Sequence, residues 1–144
     1  MKRPTELTIT AWARLLRAHE TALSTVETAL KEADLPPLSW YDVLLELERV
    51  GDEGIRPYEL QDKLLLPQYG LSRLLTRIEK AGYLERLSSE EDGRGQLVFI
   101  TPSGRSVRAR MWSVYAPAIE GAVGKKLTCV QAKSLSNLLG KLIA

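Results

Sequence analysis

The architecture of this chain follows from residues 67–102, which read PQYGLSRLLTRIEKAGYLERLSSEEDGRGQLVFITP. In the first half of this stretch, apolar residues recur at three- and four-residue steps, which is the spacing of one face of a helix. Pro67 is compatible with a first helical turn, and Gly82 follows the last apolar position as a helix stop. We therefore predict an amphipathic helix over 67–80.

The second half of the same stretch predicts a β-hairpin and then another helix. Residues 83–87 fit a short strand, and the β-branched and aromatic run at 96–100 fits the returning strand. The polar, glycine-bearing segment 88–95 between them has the composition of a turn. Thr101 and Pro102 then begin a helix, because threonine is a good capping residue and proline suits the first helical position.

Upstream, the chain supplies two further short helices. A helix that ends at Val50 is capped by Ser39, and Asp42 three residues later would complete a variant of the capping box. A shorter helix begins at Pro57. Three closely spaced helices followed by a hairpin are the outline of a winged helix-turn-helix, in which the helix 67–80 holds the recognition position.

The predicted recognition helix combines an apolar side with a polar side that suits a DNA groove. Arginine can bind guanine, glutamine can bind adenine, and serine, threonine and lysine can bind bases or phosphates. The carboxylate of Glu79 lies at the end of the helix, away from this set. The alternative is an ordinary solvated face, which the position between a short helix and a hairpin disfavours. We predict that DNA is contacted by Gln68, Tyr69, Ser72, Arg73, Thr76, Arg77 and Lys80.

The turn of the hairpin is a second candidate for DNA contact. Arg94 lies between Gly93 and Gly95, so the backbone there is free to approach a narrow groove closely. Asp92 would be repelled by phosphate, and we expect it to hold a neighbouring arginine, either Arg94 or Arg77. The alternative is an ordinary turn in which aspartate and glycine satisfy turn geometry alone. The sequence does not decide between the two.

Long helical regions flank this central part. Apolar stripes run along 8–33, 102–122 and 129–142. Pro117 predicts a bend within the second of these regions. A capping box at Thr128 begins the third. A winged helix-turn-helix does not need these stripes for its own core. A homodimer is the readiest way to bury them, with a monomer whose helices pack only on one another as the alternative.

The sequence thus predicts a mainly α fold with a small β-hairpin wing. We expect a winged helix-turn-helix flanked by N- and C-terminal dimerisation helices, all within one folded unit, which suits a chain of 144 residues. The N-terminal dimerisation helix falls in 1–35, the winged DNA-binding region in 36–101, and the C-terminal dimerisation helices in 102–144.

Several aromatic side chains lie near the ends or faces of helices that would converge where these parts meet. Aromatic walls with a few polar tips suit a small aromatic ligand, although such residues also serve simply as core. His19 lies on the apolar stripe, where a core or interface role is favoured over ligand contact or a pH switch. The candidate pocket comprises Trp12, His19, Trp40, Tyr41, Trp112 and Tyr115.

The order and spacing of these motifs resemble the MarR family of bacterial transcription regulators. The resemblance covers 38–105 and rests on ELQDKLLLPQYGLSRLLTRIEKAGYLERL at 59–87, on Asp92 and Arg94 of the wing, and on ITPSGR at 100–105. It implies a homodimer on a palindromic operator, with the first and the last two helices at the interface. It further implies a small ligand between that interface and the winged region. We expect a repressor released by a small aromatic or phenolic effector.

Two departures from the family pattern concern the DNA contacts. Pro67 stands where a polar residue often opens the recognition helix, so the usual side-chain cap is absent. Gly93 stands where an arginine is common in the wing, which weakens the expected minor-groove contact. Gly93 and the mild net charge favour an alternative function, a winged-helix protein-interaction adaptor without DNA binding.

Composition excludes several other classes of protein. Twenty basic and 18 acidic residues give a net charge of +2, so charge alone does not indicate a polyanion partner. One cysteine and one histidine form neither an internal disulfide nor a Cys/His metal cluster, and no nucleophile–base pair is evident. We therefore expect no enzyme, metal or cofactor.

Two further expectations concern Cys129 and the location of the protein. The resembled family's organic-peroxide sensors carry their reactive cysteine in the first helix, so Cys129, at the start of the last helix, is expected to be a structural thiol. The N-terminal residues lack the apolar core of a secretion signal, and no apolar run approaches the about 20 residues of a membrane span. We therefore expect a cytoplasmic protein without membrane contact.

Overall fold

The computed structural model describes residues 1–89 and 95–144. Within these residues the chain forms six α-helices, a two-stranded hairpin and short 3₁₀ turns at Gly51–Glu53 and Gly124–Lys126. The predicted mainly α fold with a β-hairpin is confirmed. The elements are α1 (Glu6–Glu32), α2 (Leu38–Val50), α3 (Pro57–Lys63), α4 (Leu71–Lys80), β1 (Leu84–Ser89), β2 (Gly95–Ile100), α5 (Pro102–Ala122) and α6 (Cys129–Ile143).

The chain divides into two compact units. The winged unit is Asp34–Ser113 and contains α2, α3, α4 and the hairpin. The terminal unit consists of Met1–Ala33 and Val114–Ala144 and contains α1 and α6. The boundary between the units falls inside α5, so the first half of that helix belongs to the winged unit and its second half to the terminal unit.

The core of the winged unit is aliphatic and draws on each of its helices and on the hairpin. Burial of apolar surface is worth about 25 cal/mol per Å², so these contacts hold α4 firmly against the rest of the unit. The largest fully buried side chains of this core are Val43, Leu44 and Leu47 of α2, Leu60 of α3, Leu75 and Ile78 of α4, Val98 of β2, and Val107 and Met111 of α5.

The hairpin is joined by a third backbone segment. β1 and β2 pair antiparallel, with Leu84 opposite Ile100. Ile55, in the connection between α2 and α3, exchanges two backbone hydrogen bonds with Val98, with N···O distances of 3.1 and 2.8 Å. The predicted strands are therefore present, with β1 extending two residues beyond the predicted end, and the hairpin is also bonded to the chain before α3.

Asp42 has a different role from the predicted one. α2 starts one residue before Ser39 and has no side-chain cap. The Asp42 carboxylate is buried, and it accepts hydrogen bonds from the backbone N–H groups of Leu65 (3.0 Å) and Leu66 (2.7 Å). The predicted capping box of Ser39 and Asp42 is wrong, because the carboxylate faces two N–H groups of the loop after α3 and not the first turn of its own helix.

The recognition helix begins later than the sequence predicts. The sequence predicts a start at Pro67, whereas α4 begins at Leu71, with Gly70 as an N-cap that makes no side-chain bond. The hydrogen bonds to the buried carboxylate on α2 fix the backbone just before the proline, and the residues that follow remain a non-helical connection. The predicted end at Lys80 is confirmed, and Gly82 after it has the left-handed φ of 85°.

Thr101 joins three elements at the base of the hairpin. Its Oγ1 donates a hydrogen bond to the carbonyl of Gly82 (2.6 Å) and accepts one from the N–H of Gly104 (3.0 Å). Its own N–H donates to the carbonyl of Tyr83 (3.1 Å). The predicted cap of α5 is confirmed, and the same side chain also bonds the turn that follows α4.

The terminal unit leaves much of its apolar surface open. α1 is capped by Thr5, and its buried residues, Val26 and Leu30, both lie in its last two turns. α5 continues through Pro117 as one helix, and α6 opens with the predicted capping box at Thr128. In the described part of the chain, no helix is long and apolar enough to cross a membrane.

Replacing Asp42 with asparagine should destabilise the protein. The amide can accept from one of the two N–H groups, while its own NH₂ group faces the other, and an unsatisfied buried donor costs about 1–3 kcal/mol. Urea unfolding of Asp42→Asn should show a lower midpoint and an unchanged slope. Asp62→Asn, at an exposed position of α3, should unfold like the unchanged protein. Equal midpoints for Asp42→Asn and the unchanged protein would contradict the role assigned to this carboxylate.

Candidate nucleic-acid interface

α4 has one buried side and one exposed side. Leu71, Leu74, Leu75 and Ile78 form the buried side, as predicted. The polar residues Ser72, Arg73, Arg77 and Lys80 are exposed, and Thr76 is half-buried. The ion pairs among the described residues do not involve the three cations of this set. The exposed side of α4 therefore offers positive charge and hydrogen-bond donors to an external partner.

Gln68 and Tyr69 lie in the connection before α4, so the prediction that they belong to the helix is wrong. The reason is the late start of α4 described above. Tyr69 is completely exposed, and the carbonyl of Gln68 accepts a hydrogen bond from Nε2 of Gln61 on α3 (3.3 Å). Both residues directly precede the N-terminus of α4 in the chain, and Gln68 is half-buried.

Arg86 of β1 reaches across to α4. Its Nε and Nη2 donate to Oε1 of Glu79, at 3.2 and 2.7 Å, and its Nη2 also donates to Oγ1 of Thr76 at 3.0 Å. The Thr76 hydroxyl in turn donates to the carbonyl of Ser72 on the previous turn (3.0 Å). The Arg86 side chain is 18% exposed. The hairpin thereby fixes one edge of the exposed side of α4.

Glu79 is the carboxylate of this network and stays charged at neutral pH. The hydrogen bond from Arg86 lowers the pKa of Glu79, and the guanidinium charge acts in the same direction, whereas burial opposes them. Since the pKa is depressed in the folded state, the stabilising contribution is present at neutral pH and is lost as the pH falls through the lowered pKa. The Glu79 charge is thus engaged by Arg86.

Arg86 falls within the stretch that carries the family resemblance, but the sequence alone assigns it no role. The two ends of its ion pair are seven residues apart and lie on either side of the turn at Gly82, so neither helical nor strand periodicity connects them. The available signals were a basic residue soon after a helix stop and its place in the resembled pattern, and neither indicates its partners.

The predicted contacts of the hairpin turn, Asp92 and Arg94, lie outside the described residues. The strands that lead to them are described up to Ser89 and from Gly95. Arg77, the other proposed partner of Asp92, is exposed on α4. The pairing of Asp92 with an arginine therefore stays a prediction.

The six residues of the predicted effector pocket differ in their surroundings. In the winged unit, Tyr41 stacks on Trp112, with ring centroids 6.1 Å apart and planes at 20°. Its neighbour Trp40 packs edge-to-face on Tyr83, also at 6.1 Å. Two consecutive aromatic residues of α2 therefore contact different rings. The members in the terminal unit are Trp12 and His19, exposed on α1, and Tyr115, half-buried on α5.

A cavity of about 260 Å³ lies between α3, α4 and the hairpin. It is separate from the predicted pocket, because none of the six predicted residues lines it. The sequence alone does not indicate this cavity, because its walls come from four elements that only the tertiary fold brings together. Its lining residues are Pro57, Tyr58, Gln61, Leu71, Ser72, Leu75, Arg86 and Gln96.

Binding of a polyanion is the chemistry that the winged unit supports best. Donors and cations line the exposed side of α4, and phosphates and base edges supply the complementary acceptors. Within the described residues there is no group of three or more His, Cys, Asp or Glu side chains that could hold a metal ion. Cys129 is an exposed free thiol at the start of α6.

Comparison with known proteins agrees with this geometry. A family model described as the MarR family matches residues 33–95. An uncharacterized HTH-type transcriptional regulator from Bacillus cereus is 31% identical over 99 residues, which are 69% of this chain and 63% of that protein. The match thus spans less than two thirds of the length of this relative.

Solved structures share the fold over nearly the whole chain. Sco3205, a MarR family transcriptional regulator from Streptomyces coelicolor solved in complex with DNA, has a TM-score of 0.88 at 24% identity, over 99% of this chain and 89% of that one. A mutant MarR from Escherichia coli, complexed with operator DNA, has a TM-score of 0.81 at 24% identity, over 99% and 100%. Family model, relatives and fold all support placing this chain in the MarR family.

Proposed function

We propose that this chain is a DNA-binding transcription regulator that places α4 in the major groove of double-stranded DNA. The observation that carries the proposal is the exposed side of α4, where Arg73, Arg77 and Lys80 have no ion pair with the described residues. The opposite side of the helix is anchored in the core, and an α-helix presented in this way fits the major groove. Relatives named as HTH-type transcriptional regulators, and neighbours solved with DNA, support the proposal.

Within this interface the residues have different tasks. Arg73 lies in the first turn of α4, where side chains reach base edges, and its guanidinium suits guanine. Lys80 lies at the far end of the helix and suits a phosphate as a point charge. In the wing, Arg94 would enter the minor groove, with Asp92 holding an arginine in place. The remaining proposed contacts are Gln68, Tyr69, Ser72, Thr76 and Arg77.

We also propose that the regulator is a homodimer on a palindromic operator. α6 has no buried residue within the single chain, although its sequence is amphipathic. Helices of this length gain most of their stability from packing an apolar side, so a second copy is the readiest cover for it. The exposed apolar residues of the terminal unit include Leu7, Ile9, Trp12 and Leu16 of α1 and Val130, Leu135, Leu138, Leu142 and Ile143 of α6.

We further propose a repressor that a small aromatic or phenolic effector releases from DNA. The aromatic residues of the predicted pocket support this part, since stacked rings such as Tyr41 and Trp112 offer surfaces to a flat apolar ligand. Thermal unfolding in the presence of a panel of phenolic and aromatic acids tests it. A ligand that raises the Tm and also weakens operator binding is expected, and a panel without such a ligand would contradict the effector class.

The DNA-binding proposal is tested by selection from a pool of random duplexes with the purified full chain. We expect enrichment of a palindromic sequence, and an affinity whose logarithm falls linearly with the logarithm of salt concentration, because phosphate contacts release counterions. A pool that shows no sequence-specific enrichment at low salt would overturn the proposal and favour the protein-interaction adaptor.

Arg73→Ala and Lys80→Ala should affect DNA binding in different ways. Loss of Arg73 should cost about 1–3 kcal/mol on the selected sequence and relax the base preference at one position of each half-site. Loss of Lys80 should weaken binding to all sequences alike and reduce the salt dependence. Fluorescence anisotropy on selected and scrambled duplexes separates the two effects. Equal losses on both duplexes for both variants would show that Arg73 does not read a base.

A further inference from the structure

The Thr76 hydroxyl is already engaged inside the protein. It donates its single proton to the carbonyl of Ser72 (3.0 Å), one helical turn earlier. It also accepts a hydrogen bond from Nη2 of Arg86 (3.0 Å). A threonine hydroxyl has one donor and two acceptor sites. The hydroxyl hydrogen of Thr76 is therefore already used in a hydrogen bond, and one of its acceptor sites is occupied by the Arg86 guanidinium.

The Arg86 side chain is held in place by its ion pair with Glu79. The same guanidinium donates twice to Oε1 of Glu79, and the side chain is 18% exposed. Hydrogen bonds between ionised groups are about twice as strong as neutral ones. Arg86 thus keeps its position on the edge of α4, and Thr76 keeps the side-chain rotamer in which its oxygen points to Arg86 and Ser72.

The Thr76 rotamer decides which of its groups is left for an external partner. The three substituents of Cβ are staggered, so with the oxygen turned to the helix backbone and to Arg86, the methyl group occupies a different direction. Thr76 lies on the same side of α4 as the exposed residues Arg73 and Lys80, three positions before it and four after it. A DNA groove that receives those two residues would meet the Thr76 methyl group between them.

We propose that Thr76 reads a thymine through its γ-methyl group, in contact with the C5-methyl group of that base. The inference rests on the proposed function of α4. In the major groove, the C5-methyl group is the apolar feature that marks thymine, and threonine methyl groups are among its usual contacts. A hydroxyl contact to adenine or to phosphate as a donor is disfavoured, because it would break the bond to Ser72. Thr76 thereby adds apolar specificity to a surface of charged and polar groups.

The test uses the duplex selected by the unchanged protein from the random pool. Each thymine of the half-site is replaced by deoxyuridine, one position at a time and in both half-sites together. Deoxyuridine keeps all base-pair hydrogen bonds and lacks only the methyl group. At one position we expect the affinity to fall by about tenfold, the value of two buried methyl groups.

Two variants identify the side chain that senses the methyl group. Thr76→Ser keeps the hydroxyl and its bonds but lacks the methyl group, so it should bind the thymine and deoxyuridine duplexes equally. Thr76→Val keeps a methyl group and loses the hydroxyl, so it should still prefer thymine by about the same factor. Circular dichroism and Tm measured for both variants establish that they are folded.

The possible results separate this inference from the proposed function. If the unchanged protein binds its selected duplex specifically but tolerates deoxyuridine at every position, the inference is overturned and DNA binding stands. If Thr76→Ser retains the preference for thymine, another residue senses the methyl group and the inference is again overturned. If no sequence is enriched at all, both the proposed function and this inference are overturned.

Discussion

Leu138→Glu should dissociate the proposed dimer and abolish tight operator binding. Leu138 is 59% exposed on α6, in a row of apolar residues that the single chain leaves open. Burial of a leucine is worth about 1.5–3 kcal/mol, and a two-fold interface contains each position twice, so the dimer constant should weaken by about 10² to 10⁴. Burial of the new carboxylates would add to this loss.

Sedimentation at micromolar concentration measures the change in oligomeric state, and anisotropy on the palindromic duplex measures its effect on DNA binding. Asn137→Glu is the matched control, because it adds the same charge at the preceding position of the same helix, on its polar side. The control should remain dimeric and bind like the unchanged protein. A Leu138→Glu protein that stays dimeric with full affinity would exclude this face of α6 from the interface.

Gly104→Ala should be among the most destabilising single substitutions in the winged unit. A Cβ atom at this position would overlap the carbonyl oxygen of Tyr83 and lie 2.8 Å from Cγ1 of Ile100. The Tyr83 carbonyl cannot move aside freely, because it accepts the N–H of Thr101. We expect a loss of about 3 kcal/mol, at the upper end of the range for overpacked positions.

Gly121→Ala is the matched control in the same helix. Apart from its chain neighbours and the backbone of its own helix, no heavy atom of the described residues lies within 4 Å of a Cβ built there. Alanine is favoured over glycine inside a helix by about 0.8–1 kcal/mol, so this variant should be slightly more stable. Calorimetry should therefore measure a lower Tm for Gly104→Ala and a slightly higher Tm for Gly121→Ala. A Tm unchanged by Gly104→Ala would mean that α5 can move away from the hairpin at little cost.

The elements that follow local rules could be predicted from the sequence. The apolar side of α4 was predicted from helical spacing, and the hairpin from its β-branched run and polar turn. Pro57 and Thr101 begin α3 and α5 as their capping and proline preferences indicate. Each of these features depends on residues within a few positions of one another, so the local sequence is sufficient to predict it.

The features that depend on tertiary contacts could not be predicted. The buried carboxylate of Asp42 accepts hydrogen bonds from N–H groups 23 and 24 residues away, in the loop that precedes α4. The pattern around Pro67 suits a helix start equally well, so nothing local opposed the wrong boundary. Arg86 was likewise missed, because its partners Thr76 and Glu79 are brought to it by the turn after α4.

The candidate site was predicted in part. A helical wheel sufficed to place Ser72, Arg73, Arg77 and Lys80 on the exposed side of α4, since a buried apolar side fixes the opposite one. The wheel gave no information on the partners of Thr76, which lie on another element. The pocket residues were predicted from residue type and from their places near helix ends and faces, and neither indicates that Trp40 and Tyr41 contact separate rings.

The hydrogen bonds of Thr101 affect how mutants that have lost regulation should be interpreted. They tie Gly82, Tyr83 and Gly104 into one junction, and a substitution there loosens both neighbouring helices without touching any surface offered to DNA. A screen for mutants that have lost regulation would recover such alleles together with those at Arg73. Growth in the cold should rescue the first group and leave the second defective, because only the first suffers from instability. Phenotypes scored at one temperature would overstate the number of residues that touch the operator.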